Sequence, residues 1–331
     1  MTILVTGVAG FIGAAVAEHL LARGERVIGI DNFNSYYAVQ LKRDRIARLA
    51  SYGDALRVHE IDFSEPKALT DALGHLEIER IVHLGAQAGV RYSLDNPLAY
   101  AASNLTGHLA LLELARQRRV AHMVYASSSS VYGNNAKAPF AVDDPVDHPI
   151  SLYAATKRAD ELMSESYAHL YRLPLTGLRF FTVYGPWSRP DMMTWKCTDA
   201  ILGGRPVTVF NDGEMSRDFT YIDDIVSGVI AALDHAPADD GAMKPGGSKA
   251  PHTLYNIGNN RPEPLMRLIA LIEDACGRKA IIDHQPMQPG DVARTYADID
   301  AIRADLGYEP TTPIDVGIPT FVEWFKRYHA R

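Results

Sequence analysis

The sequence predicts an α/β fold: a doubly wound parallel sheet with helices on both faces, completed by a smaller mixed α/β cap. Three observations carry that expectation. Short β-branched runs alternate with amphipathic stretches through the first half, a glycine-rich turn joins the first run to the first apolar helix, and the pieces become shorter and mixed after Gly185. Strands separated by helices are joined by crossovers, which makes the sheet parallel and puts ligands at the carboxyl ends of its strands.

Taken in order, residues 2–6 are a short apolar, β-branched strand and 11–22 a helix; Glu18 and His19 interrupt the apolar opening, so it reads as strand, turn and helix and not as a membrane segment. Strand 26–31, helix 41–50 and strand 56–62 continue the alternation, followed by strand 80–84, one long helix over 98–118, strand 122–127 and helix 152–171. Beyond Gly185 come a helix near 191–202, a strand at 206–210, a helix at 223–235, a strand at 253–257, a helix after Pro262 and a final helix near 314–328. The Gly/Pro-rich stretch 237–251 can bury little apolar area and reads as a surface loop. The division expected is 1–184 for a nucleotide-binding unit and 185–331 mainly for a second ligand, with some later segments returning to the first sheet.

The chain has 331 residues, of which 47% are apolar and 22% charged, so it can bury a sizeable core and is neither disordered nor fibrous. Lys plus Arg number 33 against 40 Asp plus Glu, a net charge of −7 that disfavours nucleic acid as a partner. Cys197 and Cys276 are the only cysteines and lie outside any CxxC spacing, which suggests no disulfide framework and a cytoplasmic location. None of the 12 histidines falls in an HExxH or Cys/His ligand spacing, so no catalytic metal is expected. No GxxxxGK[ST] string is present, which removes the P-loop hydrolases.

Gly7, Gly10 and Gly13, with Phe11 and Ile12 between them, sit where a strand gives way to a helix. Glycine permits the tight turn and the close approach of a pyrophosphate to the unpaired N–H groups of the helix start. Asp31 lies 18 residues beyond Gly13 at the end of the second strand, where a carboxylate accepts from a ribose diol and repels a 2′-phosphate. The combination predicts a Rossmann-type dinucleotide site that takes NAD, with Asn32 as a second ribose contact. Asp62 and Phe63, at the third strand end, either edge and flank the adenine or are a turn acid and a core aromatic.

Tyr153 and Lys157 are four apart at the start of the helix 152–171, on one helical face. A phenol of ordinary pKa about 10 is a poor base at neutral pH, and a neighbouring ammonium favours its phenolate. Ser127, Ser128, Ser129 and Ser130 follow the apolar strand Met123 to Ala126, which puts several hydroxyls at a strand end beside that pair.

Together these residues resemble the extended short-chain dehydrogenase/reductase family of nucleotide-sugar epimerases, dehydratases and decarboxylases, over nearly the whole chain. The strings DNFNSYY at 31–37, HLGAQAGVRYS at 83–93, VYGPWSRPDM at 183–192 and MSRDFTYIDD at 215–224 are similar to the branch that acts on UDP-hexuronates. The resemblance implies NAD-dependent conversion of UDP-glucuronate to UDP-galacturonate through a transient 4-keto sugar, with hydride returned to the opposite face. It makes Tyr153 the base, Ser128 its partner on the sugar oxygen and Lys157 the holder of the nicotinamide ribose. A 4-ketone beside a C5 carboxylate can lose carbon dioxide, and the family pattern puts Ser129, Ser130, Thr182 and Arg189 on that carboxylate. Read from the residues alone, Arg189 could be a loop ion pair and Thr182 a strand end.

The resemblance further implies Arg217 for the diphosphate, Asp291 for the nucleotide ribose, and Gly85, Ala86 and Gln87 for the cofactor channel, with Asn104 behind them; Arg294 is left open. Decarboxylases and dehydratases of the family carry a Glu immediately before the Val-Tyr-Gly, where this chain has Ser130. A UDP-glucose 4-epimerase remains the near alternative, a UDP-glucuronate decarboxylase or a non-catalytic dinucleotide sensor the more distant ones. The family also implies a homodimer through the segments 98–118 and 152–171.

Overall fold

The structure is a computed structural model and describes residues 1–288 and 292–330. Seven parallel strands form the central sheet. β1 (Thr2–Thr6), β2 (Arg26–Asp31), β3 (Leu56–Glu60), β4 (Arg80–His83), β5 (His122–Ser128) and β6 (Leu175–Phe180) are joined at one edge by the strand His252–Ile257. Their order is His252–Ile257, β6, β5, β4, β1, β2, β3, with Thr6 paired to Ile30 on one side and to His83 on the other. Connections from β1 run outward toward β3, while β4 to β6 build the opposite half. Such a reversal opens a crevice at the carboxyl ends of β1 and β4.

Strand alternation divides the core between the two faces. Ile3, Val5, Val27, Val82, Val124 and Leu178 belong to one buried cluster; Leu4, Ile28, Ile81, Met123, Tyr125 and Leu175 belong to the other. Successive side chains of a strand point to opposite faces, so a parallel sheet covered on both sides reads as a continuous apolar run. Helix α1 (Phe11–Ala22) covers the first face together with the later helix Ile222–Asp234, which packs against it. The helices Gly107–Arg118 and Leu152–Tyr171 pack against each other. Two small sheets complete the molecule: Pro262–Pro264 with Ser216–Tyr221 and Thr182–Tyr184, and Ile281–Gln285 parallel to Pro206–Phe210.

The expected long helix over 98–118 is broken. A helical turn at Pro97–Tyr100 leads into a widened π-type segment, Ala101–Thr106, before the regular helix begins at Gly107. The widening accompanies the inward side chain of Asn104, 1% exposed, which is bonded to the 87-loop and to the neighbouring helix. β6 was not apparent in the sequence because Gly177 and the buried Arg179 interrupt its apolar run; Arg179 is matched inside by Glu161, with Nε to Oε1 at 2.8 Å and Nη2 to Oε2 at 3.0 Å. Among the described residues no helix is long and apolar enough to cross a membrane. Nor do they contain a His/Cys/Asp/Glu group suited to a metal ion, and Cys197 and Cys276 are buried and free.

Candidate active site

A cavity of about 440 Å³ opens at the crevice between β1 and β4. Its floor is the turn after β1. Gly7 has φ +66°, and a Cβ there would lie 2.8 Å from the backbone of Gly85 in the loop after β4, so both the turn and the close approach exclude a side chain. The first turn of α1 starts at Gly10 with no side-chain cap. Gly10, Phe11, Ile12 and Gly13 therefore line the cavity with a helix N-terminus whose amides suit a pyrophosphate.

Thr6 ties the two strand ends together. Its Oγ1 accepts from the Gly85 amide at 3.0 Å and meets His83 Nδ1 at 2.6 Å. Burial pushes the His83 imidazole down to about 3, so it is neutral and this contact is a hydrogen bond between uncharged groups.

Asp31, at the end of β2, lines the cavity, and both its oxygens already accept backbone amides, Oδ2 from Ala9 at 3.1 Å and Oδ1 from Phe33 at 2.8 Å. Each carboxylate oxygen retains a further lone pair for a ribose hydroxyl. Burial pushes the Asp31 carboxyl above its ordinary value, opposed by Lys42 at 3.9 Å and the two amides. Asn32 and Phe63 also line the cavity, and Phe63 is simultaneously core. Asp62 stands behind this wall, accepting from Asn32 Nδ2 at 2.9 Å and from the Ser64 hydroxyl at 2.6 Å. These groups fit a dinucleotide: a glycine turn and helix start to donate to two phosphates, a carboxylate to accept from a diol, and an aromatic at the third strand end.

At the opposite end, Tyr153, Lys157, Ser128, Ser129 and Ser130 share the cavity wall with Gly85, Ala86 and Gln87. Ser151 caps the helix Leu152–Tyr171 by accepting from the Ala154 amide, which fixes the start of the turn carrying Tyr153. Lys157 is buried; its Nζ donates to the Ala126 carbonyl at 2.9 Å and to Asp160 Oδ2 at 3.0 Å. Ser128 Oγ accepts from the amide and the hydroxyl of Ser130, at 3.1 and 2.9 Å. Its own hydrogen is thereby directed away from Ser130. Ser127 lines the cavity too, while its hydroxyl donates to Glu161 at 2.6 Å and serves the buried ion pair. Asn104 accepts from the Gln87 amide at 2.8 Å and donates to the Gln87 carbonyl and to Thr156, fastening the loop after β4 to the helix of Tyr153.

A third wall brings Thr182 and Arg189 to the same cavity. The Arg189 fork holds Asp191 at two points, both 2.9 Å. The ion pair and the cavity position, set out above as separate readings of Arg189, therefore coexist. Arg217 lines the cavity as well and donates to the carbonyls of Ser216 and Ala293 at 2.9 and 3.1 Å. Arg294 lies over the Tyr296 ring beside a second, smaller cavity. Asp291 falls outside the described residues.

Several cavity residues carried no usable signal in the sequence. Tyr36 reaches in from the loop after β2 and donates to Asp191 at 3.4 Å, and Lys42 comes from the helix Val39–Ala47, donating to Asn34 at 2.9 and 3.0 Å. Phe181, Met192 and Thr295 line it as well. The string 31–37 was available as a resemblance, but only the folded loop puts Tyr36 across from Asp191.

Residues 3–258 match the NAD dependent epimerase/dehydratase family. The chain is similar to a probable UDP-glucuronate 4-epimerase of Rhizobium meliloti, 44% identical over 337 residues, which span 100% of this chain and 98% of that one. Among solved structures it is similar to the UDP-glucuronic acid 4-epimerase of Bacillus cereus in complex with UDP-glucuronic acid and NAD, at TM-score 0.87 and 32% identity, covering 99% of this chain and 100% of the other. The UDP-glucose 4-epimerase of Thermotoga maritima with UDP-glucose follows at TM-score 0.85 and 30% identity, over 99% and 100% of the two chains. On the extent of these matches, this chain belongs to the NAD dependent epimerase/dehydratase family.

Proposed function

We propose that the protein is an isomerase that interconverts UDP-glucuronate and UDP-galacturonate by NAD-dependent epimerisation at C4. One observation carries this reading: the glycine turn, the Tyr153–Lys157 pair, the serines and Arg189 all border a single cavity. Similarity to the Bacillus cereus enzyme solved with UDP-glucuronic acid and NAD supports the substrate and the cofactor. When bound, NAD supplies reversible two-electron oxidation at the sugar C4.

In this reading Gly7, Gly10, Phe11, Ile12, Gly13, Asp31, Asn32, Asp62, Phe63, Gly85, Ala86, Gln87 and Lys157 serve the cofactor. Tyr153 takes the proton of the 4-hydroxyl and later returns it, Ser128 hydrogen-bonds that oxygen, and the Lys157 ammonium favours the phenolate. Arg217 and Asp291 hold the UDP while the keto sugar turns. Ser129, Ser130, Thr182 and Arg189 keep the hexuronate carboxylate out of alignment with the carbonyl π system, so that carbon dioxide is retained. Residues 1–184 form the cofactor-binding part and 185–331 mainly the UDP-sugar part, with some later segments, among them His252–Ile257, returning to the central sheet. Incubating purified protein with UDP-glucuronate, without added cofactor, and resolving the products tests the reading. UDP-galacturonate is the expected product; far faster turnover of UDP-glucose would overturn it.

The protein acts as a cytoplasmic homodimer without nucleic-acid or membrane partners. Exposed Leu98, Leu109, Leu162 and Leu170 on the segments 98–118 and 152–171 support a four-helix seam between subunits. A light-scattering mass equal to one chain would remove the dimer.

A further inference from the structure

Behind Tyr153 and Lys157 the helix Leu152–Tyr171 carries a third ionisable group. Asp160 is fully buried, and its Oδ2 accepts from Lys157 Nζ at 3.0 Å while Oδ1 is enclosed without a hydrogen-bond partner. A carboxylate with an unsatisfied oxygen in the core is costly, and helix formation at this position does not require one. Its neighbours leave Lys157 dependent on it. Glu161, next along the helix, is committed to Arg179, Arg158 and Ser127. Facing the pair, burial drives His83 on β4 and His108 on the helix Gly107–Arg118 below their ordinary values, and drives Tyr125 on β5 above its own, so all three are neutral. On the phenol side stand the Tyr100 ring, with its centroid 5.9 Å from that of Tyr153, and the Arg189 guanidinium, whose charge also acts on the phenol and does not change with Asp160.

We infer that Asp160 is a positioning residue for the epimerisation: its carboxylate holds the Lys157 ammonium against the Ala126 carbonyl and sets how much of that positive charge reaches the Tyr153 phenol. The inference rests on the base role proposed above for Tyr153. An anion 3.0 Å from Nζ cancels much of the field that the ammonium projects toward the phenol. When Asp160 takes up a proton, that cancellation ends and the full field returns. Burial, opposed by Lys157, pushes the Asp160 carboxyl up to about 6.

Asp160→Asn separates charge from position, because the amide oxygen still accepts from Lys157. The acid limb of the pH–rate profile should move to lower pH by about half a unit or more. A substrate-independent reading is the near-ultraviolet phenolate absorbance, taken as the difference from a Tyr153→Phe partner in each background. It should shift in the same direction and by a similar amount. Asp160→Ser, smaller and also neutral, gives the same test if the asparagine variant does not fold. Superimposable phenol titrations with and without the charge at 160, in protein that interconverts the UDP-hexuronates, overturn the inference. A shifted phenol titration in protein that leaves both UDP-hexuronates unchanged supports the inference about Asp160 and overturns the substrate reading instead.

Discussion

Arg189 and Asp191 form a two-point ion pair on one loop of the cavity wall, with Nε meeting Oδ1 and Nη2 meeting Oδ2 at 2.9 Å each. One edge of the guanidinium is occupied, and Asp191 thereby sets the direction in which the rest of the fork faces. Tyr36 steadies the same carboxylate from the loop after β2. An arginine held on one edge is pre-organised to receive a second carboxylate on another.

That geometry predicts the behaviour of Asp191→Asn. With the anchor weakened, UDP-glucuronate should be held less firmly at its carboxylate, and the share of product that has lost carbon dioxide should rise several-fold. Turnover of UDP-glucose, which has no carboxylate to clamp, should change far less. Product analysis by chromatography with trapped carbon dioxide checks both arms.

Tyr153→Phe removes the proposed base and leaves the glycine turn and Asp31 intact. The variant should purify with bound nicotinamide nucleotide yet lose activity by about 10²-fold or more, in line with general-base contributions. Nucleotide released on denaturation, measured beside the rate, distinguishes this outcome from loss of cofactor.

Asp31→Ser should weaken the preference for NAD over NADP by about tenfold or more, a change of roughly 1.4 kcal/mol in relative binding. The repelling carboxylate is gone, and Lys42, 3.9 Å from it in the unsubstituted protein, remains to meet a 2′-phosphate. Competitive binding of the two nucleotides to the cofactor-depleted protein gives the ratio.

Arg179→Met leaves Glu161 buried with its main counter-charge removed, at a cost of about 3–5 kcal/mol. Burial alone would raise the Glu161 carboxyl, but Arg179, Ser127 and Arg158 together hold it below its ordinary value of 4.5. Such a group adds stability above its unfolded value and loses that contribution as pH falls through its folded one. The difference in melting temperature between the two proteins should therefore shrink on acidification, as Glu161 takes up a proton first in the variant, where burial is less opposed, and only at lower pH in the unsubstituted protein.

Legibility varied with the range of the interaction. Gly7, Gly10 and Gly13 with Asp31, and Tyr153 with Lys157, were visible because each signal lies within one strand–turn–helix unit or one helical turn. The buried strand Leu175–Phe180 was hidden because Arg179 reads as a surface residue until Glu161, 18 positions away, is seen to neutralise it. The break at Ala101–Thr106 was hidden for the same reason, since Asn104 is satisfied by Gln87 and Thr156, on other elements.

By itself the sequence determined the alternating parallel architecture, the glycine turn between the first strand and helix, and the placing of Tyr153 and Lys157 on one helical face, because periodicity, glycine geometry and helical spacing are local. Only the tertiary structure decided which groups face one another: Asp191 on Arg189, Asp160 on Lys157, Asn104 on Gln87. Those pairings depend on burial and on chain segments brought together by packing, where a missing partner leaves a charge or a hydrogen bond uncompensated.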